Sequence, residues 1–149
     1  MSADSVRQTG EGKQIAPFQT WRNTNTQEAA DELTDLFQFN IPLRWSVAYL
    51  YQRILDQEAH VRNLDYVATL SAYIHWKLTG ERVIGIGDAA GMFPIDSETL
   101  DYNEDIVQKF DRLTKKISVF LETQRYLPEG TDSRGTSRCP DRRGCGISG

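Results

Sequence analysis

Helical spacing of apolar residues dominates the first half of the chain. Three stretches in a row place apolar side chains three or four positions apart, which puts them on one face of an α-helix. The first helix is predicted between four candidate N-cap residues at 23–26 and a break at 39–42, and its apolar face is Ala30, Leu33, Leu36 and Phe37. The second is predicted over residues 44–59. The third is predicted over residues 64–78, with Val67, Leu70, Ile74 and Leu78 at helical spacing. Because no strand pattern separates them, these three elements cannot by themselves form a parallel sheet.

Two short strands are predicted on either side of this helical block. Residues 15–21 suit a strand in spite of Pro17, which is tolerated in the first residues of a strand or at a sheet edge. Residues 82–86 are brief and β-branched, and Gly80 just before them stands where a helix ends in the left-handed conformation. Residues 88–92 are predicted to form a loop or a short turn of helix.

A fourth predicted helix has the clearest amphipathic pattern in the chain. Asn103 is expected to cap its N-terminus, and the apolar residues that follow are spaced four, three and four positions apart. These residues are Ile106, Phe110, Leu113 and Ile117. The spacing gives the helix a single apolar face, which we expect to pack on the core.

The composition changes abruptly near the C-terminal end. Residues 128–149 are rich in glycine and arginine, contain no aromatic residue, and have Ile147 as their one large aliphatic side chain. Such a segment buries too little apolar surface to offset the entropy of ordering it, so we predict a disordered tail over residues 121–149. We expect residues 1–13 to be a loose polar lead-in and residues 14–120 to form one domain.

Size and charge restrict the class of protein. A chain of 149 residues with 39% hydrophobic residues can form one domain with a modest core. The formal net charge is −4, so we expect neither nucleic acid nor an anionic membrane as a partner. The sequence has no signal-peptide pattern and no apolar run of the roughly 18 residues that a membrane span requires, which favours a cytoplasmic protein.

Other candidate motifs are weak. Cys139 and Cys145 are a single pair without further metal ligands nearby, so we expect neither a disulfide framework nor a metal site. Residues 85–90 (GIGDAA) formally fit a relaxed dinucleotide-binding pattern, but Pro94 interrupts the helix that this pattern requires, and a tight loop is the favoured interpretation. The sequence shows no glycine-rich lysine loop and no nucleophile motif, so neither a P-loop mechanism nor acyl transfer is supported.

Four short segments together resemble a known family. They are residues 18–24 (FQTWRNT), residues 76–81 (WKLTGE), residues 87–92 (GDAAGM) and Asp96. In this order and at this spacing they resemble the first domain of the FGGY carbohydrate kinases, most closely the xylulokinase-like members. The resemblance implies an α/β fold class for residues 14–120, as a helix-rich fragment of an actin-like (ribonuclease H-like) kinase domain.

The resemblance also implies a set of substrate-binding residues. In the family, a segment similar to residues 20–24 follows a strand and places an aromatic side chain near the bound sugar. By this resemblance Trp21 contacts the carbon face of the sugar, and Arg22 or Asn23 donates hydrogen bonds to its hydroxyls. Asp88 then binds a hydroxyl or simply shapes its loop. Taken without the family, Trp21 and Arg22 suit an edge strand with a solvated arginine, and Asp88 suits a turn or a helix cap.

The same resemblance indicates what this sequence lacks. A complete FGGY kinase uses ATP and Mg²⁺, an N-terminal phosphate-binding hairpin, a catalytic aspartate beyond the last predicted helix, and a second, nucleotide-binding domain. We find no counterpart of these protein features in the sequence. We therefore predict no catalytic, cofactor-binding or metal-binding residue here, and neither turnover nor ATP binding by this chain alone. Our hypothesis for the loss is a reading-frame shift near residues 118–127.

A non-catalytic role is the alternative function. A partial domain leaves apolar surface exposed, and such surface favours self-association or the binding of a partner. The chain is then a remnant or a small helical interaction module. In a complete enzyme, by contrast, the expected activity is ATP-dependent phosphorylation of a sugar, such as a pentulose like xylulose.

Overall fold

The computed structural model describes residues 5–8, 22, 25–64, 66–116 and 129–131. The helices are α1 (Gln27–Phe37), α2 (Ser46–Leu55), α3 (Leu70–Thr79), α4 (Ile86–Ala89) and α5 (Glu104–Lys116), with a 3₁₀ turn at Ala59–Asn63. The strands are β1 (Ser5–Gln8), β2 (Tyr66–Thr69), β3 (Val83–Gly85), β4 (Ile95–Asp96), β5 (Asp101–Tyr102) and β6 (Glu129–Thr131). None of the helices in these ranges is both long and apolar enough to cross a membrane.

The strands pair two by two. β1 and β2 are antiparallel, with Ser5 opposite Thr69. β4 and β5 are also antiparallel, whereas β3 and β6 are parallel, with Val83 opposite Glu129. Within the described residues each sheet has two strands, which is too few to form a core alone. Most of the core there consists of side chains on the buried faces of the helices.

α1 and α2 pack against each other through the face that the sequence predicts for α1, with one exception. The predicted residues that are buried are Ala30, Leu33 and Phe37. Leu36 is exposed instead. Thr26 is the N-cap residue of α1, but its hydroxyl donates to the backbone carbonyl of Leu43 at 2.6 Å rather than capping the helix. This bond fixes the segment before α2 against the start of α1.

Two predicted helices are shorter in the structure. The second helix ends at Leu55 rather than at residue 59, and the 3₁₀ turn follows it. The prediction of a third helix over residues 64–78 is wrong at its start, because residues 66–69 form β2 and the helix begins at Leu70. Val67 is therefore buried in a strand and not on a helix face. Its pairing with β1 is a long-range contact, which overrides local helical spacing.

The predicted caps of α3 and α5 are confirmed. Gly80 ends α3 with a φ of 81°, and its backbone N–H donates to the carbonyl of Trp76 at 2.8 Å. The side-chain oxygen Oδ1 of Asn103 accepts a hydrogen bond from the backbone N–H of Ile106 at 3.1 Å. β3 lies within the strand predicted over residues 82–86 and leads directly into the short helix α4.

An aromatic cluster holds α1, α2 and α5 together. Phe110 of α5 is fully buried, and its ring centroid lies 6.4 Å from that of Phe37 and 6.2 Å from that of Tyr51. Phe93, in the segment after α4, lies 6.0 Å from Phe110 and 6.1 Å from Tyr102 of β5. Aromatic pairs of this kind add to the free energy of apolar burial, so the cluster fixes how these helices meet.

Several predictions concern residues outside the described part of the chain. The strand predicted over residues 15–21 and most of the predicted tail lie there. Two described strands fall in segments expected to be loose or disordered: β1 in residues 1–13, and β6 in residues 121–149. Each pairs with a strand that is distant in sequence. The domain boundaries themselves stay predictions.

Candidate functional site

A polar cluster joins the start of α3 to α4. Asp88 of α4 accepts hydrogen bonds at Oδ2 from the hydroxyl of Thr69, at 2.9 Å, and from the hydroxyl of Ser71. Thr69 is also the N-cap residue of α3, where its hydroxyl oxygen accepts from the backbone N–H of Ala72 at 3.2 Å. Asp88, Thr69 and Ser71 therefore form one hydrogen-bonded unit, which we call the Asp88 cluster.

The local sequence explains the geometry of the Asp88 cluster. Thr69 ends β2 with extended backbone, which is the conformation that lets an N-cap side chain reach back to the first turn of its helix. Thr69 is buried, Asp88 is half-buried and Ser71 is exposed, so the cluster runs from the core to the surface. Hydrogen bonds from hydroxyls to a carboxylate are charge-assisted, and the positive end of a helix dipole favours a carboxylate nearby. Within the described residues, the second carboxylate oxygen of Asp88 accepts no hydrogen bond.

A buried phenol lies near the Asp88 cluster. Tyr102 packs against Phe93, and its hydroxyl has no hydrogen-bond partner among the described residues. Burial raises the pKa of Tyr102, and the charges of Tyr66, Asp101 and Asp88 raise this pKa further. The Tyr102 hydroxyl therefore stays protonated at neutral pH.

The structure describes two of the four residues predicted to bind sugar. Asp88 lies in the cluster, and Arg22 lies in a turn with an exposed side chain. Trp21 and Asn23 lie outside the described residues. Asp88 is not itself a cap, because Thr69 caps α3 and Gly85 is the N-cap residue of α4; the carboxylate of Asp88 accepts from the hydroxyl of Thr69. A sugar contact by any of the four stays a prediction.

Sequence reasoning missed Thr69 and Ser71 as the partners of Asp88. A threonine directly before an apolar helical pattern is a recognisable N-cap signal. Here the apolar spacing continues upstream into β2, so the helix was predicted to start near residue 64 and Thr69 fell inside it. The link from Thr69 to Asp88 spans 19 residues, and spacing alone does not reveal it.

Trp76, within one segment of the family resemblance, joins α3 to the strands beside it. The guanidinium carbon of Arg82 lies 4.4 Å from the centroid of the indole, and Nζ of Lys77 lies 4.6 Å from it. The indole also meets the ring of Tyr66 in β2 edge to face, with 5.8 Å between centroids. These cation–π and aromatic contacts make Trp76 a packing residue at the edge of the core.

An acidic cleft of about 450 Å³ opens where β4, β5 and α5 meet. Its walls are formed by Asp96, Thr99, Asp101, Tyr102, Asn103, Glu104 and Asp105. The backbone N–H groups of Thr99 and Glu98 bind the carboxylate of Asp96 and hold its pKa below the usual value. Four carboxylates repel phosphate groups, so this cleft does not suit a nucleotide. In the described ranges, no three histidine, cysteine or acidic side chains are grouped so that they could hold a metal ion.

Solved structures of sugar kinases share this fold. A gluconate kinase from Lactobacillus acidophilus matches 88% of the chain with a TM-score of 0.68 and 12% identity. A xyloylose (xylulose) kinase from Brucella ovis matches 93% with a TM-score of 0.71 and 14% identity. A ligand-bound xylulose kinase from Lactobacillus acidophilus matches 88% with a TM-score of 0.68 and 12% identity. No protein-family model and no curated protein matches the sequence.

These similarities define the fold. The chain is a helix-rich α/β unit that resembles part of an FGGY kinase domain, and this confirms the predicted fold class. It spans 26% of the length of both Lactobacillus proteins and 29% of the Brucella protein. At 12–14% identity the likeness establishes the architecture, and it leaves the reaction of this chain open.

Proposed function

We propose that this chain is the sugar-side part of the first domain of an ATP-dependent carbohydrate kinase, with a pentulose such as xylulose as the substrate of the complete enzyme. One observation carries this proposal. The fold of 88–93% of the chain matches that of kinases whose names specify gluconate or xylulose. The order of the four family-like segments, read from the sequence alone, supports the same family.

By itself, we propose, the chain does not transfer phosphate. Phosphoryl transfer needs a grip on the phosphates, Mg²⁺ to neutralise their charge, and a base for the attacking hydroxyl. The solved kinases are more than three times as long as the part that this chain matches. We assign ATP and Mg²⁺ to the complete enzyme and not to these 149 residues.

The Asp88 cluster is the part of the proposed sugar site that can be argued from geometry. Oδ2 of Asp88 is held by two hydroxyl donors, which fixes the plane of the carboxylate. The other oxygen accepts no hydrogen bond within the described residues, so it is suited to accept one from a sugar hydroxyl. We propose that Trp21, Arg22 and Asn23 complete this site.

Titration with sugars tests the proposed site. The ¹⁵N-labelled chain is titrated with D-xylulose and with gluconate, and amide shifts are followed by NMR. We expect millimolar binding, because a partial site makes only some of the contacts, and we expect the largest shifts around Asp88. Asp88→Asn should weaken binding about tenfold, since one charge-assisted hydrogen bond is lost.

A matched control and an activity assay complete the test. Asp105→Asn removes one exposed carboxylate from α5, far along the chain from the cluster, and should leave sugar binding unchanged. Equal weakening by both variants, or no shifts with any sugar, would argue against the proposed site. A coupled ADP-release assay with pentuloses and hexuloses should give no sugar-dependent turnover, and clear turnover would refute inactivity.

A second candidate function is a non-catalytic helical interaction module. It is favoured by one specific observation, the exposure of three large aliphatic side chains on the outer side of α3. Such a module does not require sugar binding. A folded chain that binds no sugar but associates through α3 would support it.

A further inference from the structure

Ser71 is the exposed member of the Asp88 cluster. Thr69 is buried, Asp88 is half-buried and Ser71 is exposed. A ligand that comes from solvent therefore meets the cluster at Ser71 and Asp88 and not at Thr69. Ser71 is absent from the residues that the sequence predicts to bind sugar, because no family-like segment includes it.

The hydroxyl protons of the Asp88 cluster are directed to its carboxylate. A hydroxyl has one proton to donate and two lone pairs that accept, whereas an ionised carboxylate only accepts. Thr69 and Ser71 both donate to Oδ2 of Asp88. The hydroxyl oxygen of Thr69 also lies 3.0 Å from that of Ser71, where it occupies at most one lone pair. Within the described residues no other group forms a hydrogen bond with the Ser71 hydroxyl, so at least one of its lone pairs is left to accept.

Ser71 and Asp88 together present two acceptors, Oγ of Ser71 and Oδ1 of Asp88, which we call the acceptor pair. The two side chains are joined directly by a hydrogen bond, so their acceptors lie on adjacent groups. The pair also carries negative charge, because Asp88 forms no ion pair within the described residues. A ligand suited to this pair supplies two neighbouring donors and brings no negative charge of its own.

We propose that Ser71 is a further sugar-contacting residue, and that the acceptor pair takes two neighbouring hydroxyl groups of a neutral sugar. One hydroxyl of the sugar donates to Ser71 and the next donates to Asp88. A sugar acid is disfavoured at this place, because its carboxylate brings a second negative charge close to that of Asp88. This assignment rests on the proposed function, since it extends the sugar site proposed around Asp88.

The two members of the acceptor pair should contribute unequally to binding. A hydrogen bond to the charged carboxylate of Asp88 is stronger than one to a neutral hydroxyl. Ser71→Ala should therefore weaken D-xylulose binding about fivefold, against about tenfold for Asp88→Asn. Ser71→Thr keeps the hydroxyl and should restore most of the affinity. Ser97→Ala, at an exposed serine between β4 and β5, is the matched control and should bind D-xylulose like the wild type.

A double variant separates direct contact from positioning. Ser71 donates to Asp88, so Ser71→Ala also weakens binding indirectly if it lets the carboxylate turn. In an Asp88→Asn background, a Ser71 that touches the sugar itself should still give a further loss of about fivefold on substitution by alanine. No further loss in that background would make Ser71 a positioning residue and overturn the contact.

Ligand selectivity tests the acceptor pair on the unmodified chain. D-xylulose is neutral, whereas D-xylonate has the same number of carbon atoms and is an acid. In NMR titrations of the ¹⁵N-labelled full chain, D-xylonate should have a Kd about tenfold higher than that of D-xylulose. The amides of Ser71 and Ala72 should be among those that D-xylulose shifts. Equal affinities for the two ligands would overturn the assignment, and so would shifts that leave Ser71 and Ala72 unaffected.

The outcomes keep this assignment separate from the proposed function. Weaker binding by Asp88→Asn together with unchanged binding by Ser71→Ala would retain the proposed sugar site and remove Ser71 from it. A wild type that binds no D-xylulose would overturn the proposed site and this assignment together. The amide spectrum of each variant shows whether it is folded. Where Ser71→Ala is not folded, the comparison of D-xylulose with D-xylonate on the wild type decides.

Discussion

α5 and α3 bury their apolar residues in different ways. α5 is strictly amphipathic, and Phe110 on its inner face is fully buried among aromatic rings from α1, α2 and the segment after α4. α3 packs Ala72 inward but leaves Ile74 and Leu78 exposed on its outer side. α5 therefore buries Ile106 and Phe110 within this chain, whereas the outer face of α3 stays exposed among the described residues.

The two regions are also held together by different kinds of contact. The rings of the aromatic cluster are buried against one another. The surroundings of α3 depend more on directional contacts, namely the cap from Thr69, the left-handed turn at Gly80 and the cations over Trp76. Substitutions in the two regions should accordingly differ in size and in kind.

The largest expected effect is in the aromatic cluster. Phe110→Ala should lower the free energy of unfolding by about 3–5 kcal/mol, because it removes a fully buried ring and leaves a cavity among three other rings. Urea unfolding followed by fluorescence measures the loss. Leu78→Ala on α3 is the control, and at 81% exposure it should change stability by less than about 0.5 kcal/mol. Similar losses for both would contradict the contrast between the two helices.

An intermediate effect is expected at the cap of α3. Thr69→Ala should cost about 2 kcal/mol, because it removes both the N-cap acceptor for Ala72 and a donor to Asp88. Thr69→Ser keeps the hydroxyl and should recover most of this loss. Thermal unfolding monitored by circular dichroism compares the two variants. If serine is as destabilising as alanine, the packing of the methyl group and not the cap stabilises this end of α3.

The smallest expected effect is at the other end of α3. Gly80→Ala should cost about 1 kcal/mol, because φ is 81° there and a side chain disfavours this conformation. An added Cβ would meet no atom within 4 Å at Gly80 or at Gly85. Any difference between alanine substitutions at the two positions therefore does not come from steric clashes. Gly85 has a φ of −67°, which alanine adopts without strain, although Gly85 is also the N-cap residue of α4, where alanine is less favourable than glycine. Gly85→Ala should therefore lower the free energy of unfolding, measured with urea, by less than Gly80→Ala does. Equal losses for the two variants would count against the conformational explanation.

The sequence was most informative where structure is local. The spacing of Ile106 and Phe110 predicted α5, and Asn103 and Gly80 were correctly predicted as caps, since each depends on residues within one helical turn. The start of α3 was predicted wrongly because β2 is defined by its pairing with β1, more than 50 residues earlier.

The candidate site could be predicted only in part for the same reason. Asp88 was identified through a motif, but its partners Thr69 and Ser71 come from a different element and are joined to it by folding. The sequence offered a sugar contact and a turn or cap as alternatives for Asp88. In the structure Thr69 is the cap and Asp88 accepts from its hydroxyl, while the sugar contact stays a prediction.

The sequence alone predicted the helix-rich α/β class, the order of most helices and the resemblance to sugar kinases. It could do so because apolar periodicity and short motifs are properties of residues that are close together in the chain. Only the tertiary structure decided that Asp88 supports the cap of α3, that Phe110 lies at the centre of the aromatic cluster, and that Ile74 faces outward. These facts depend on which distant surfaces meet. A helical pattern shows that a face is apolar, and the surrounding chain determines whether that face is covered.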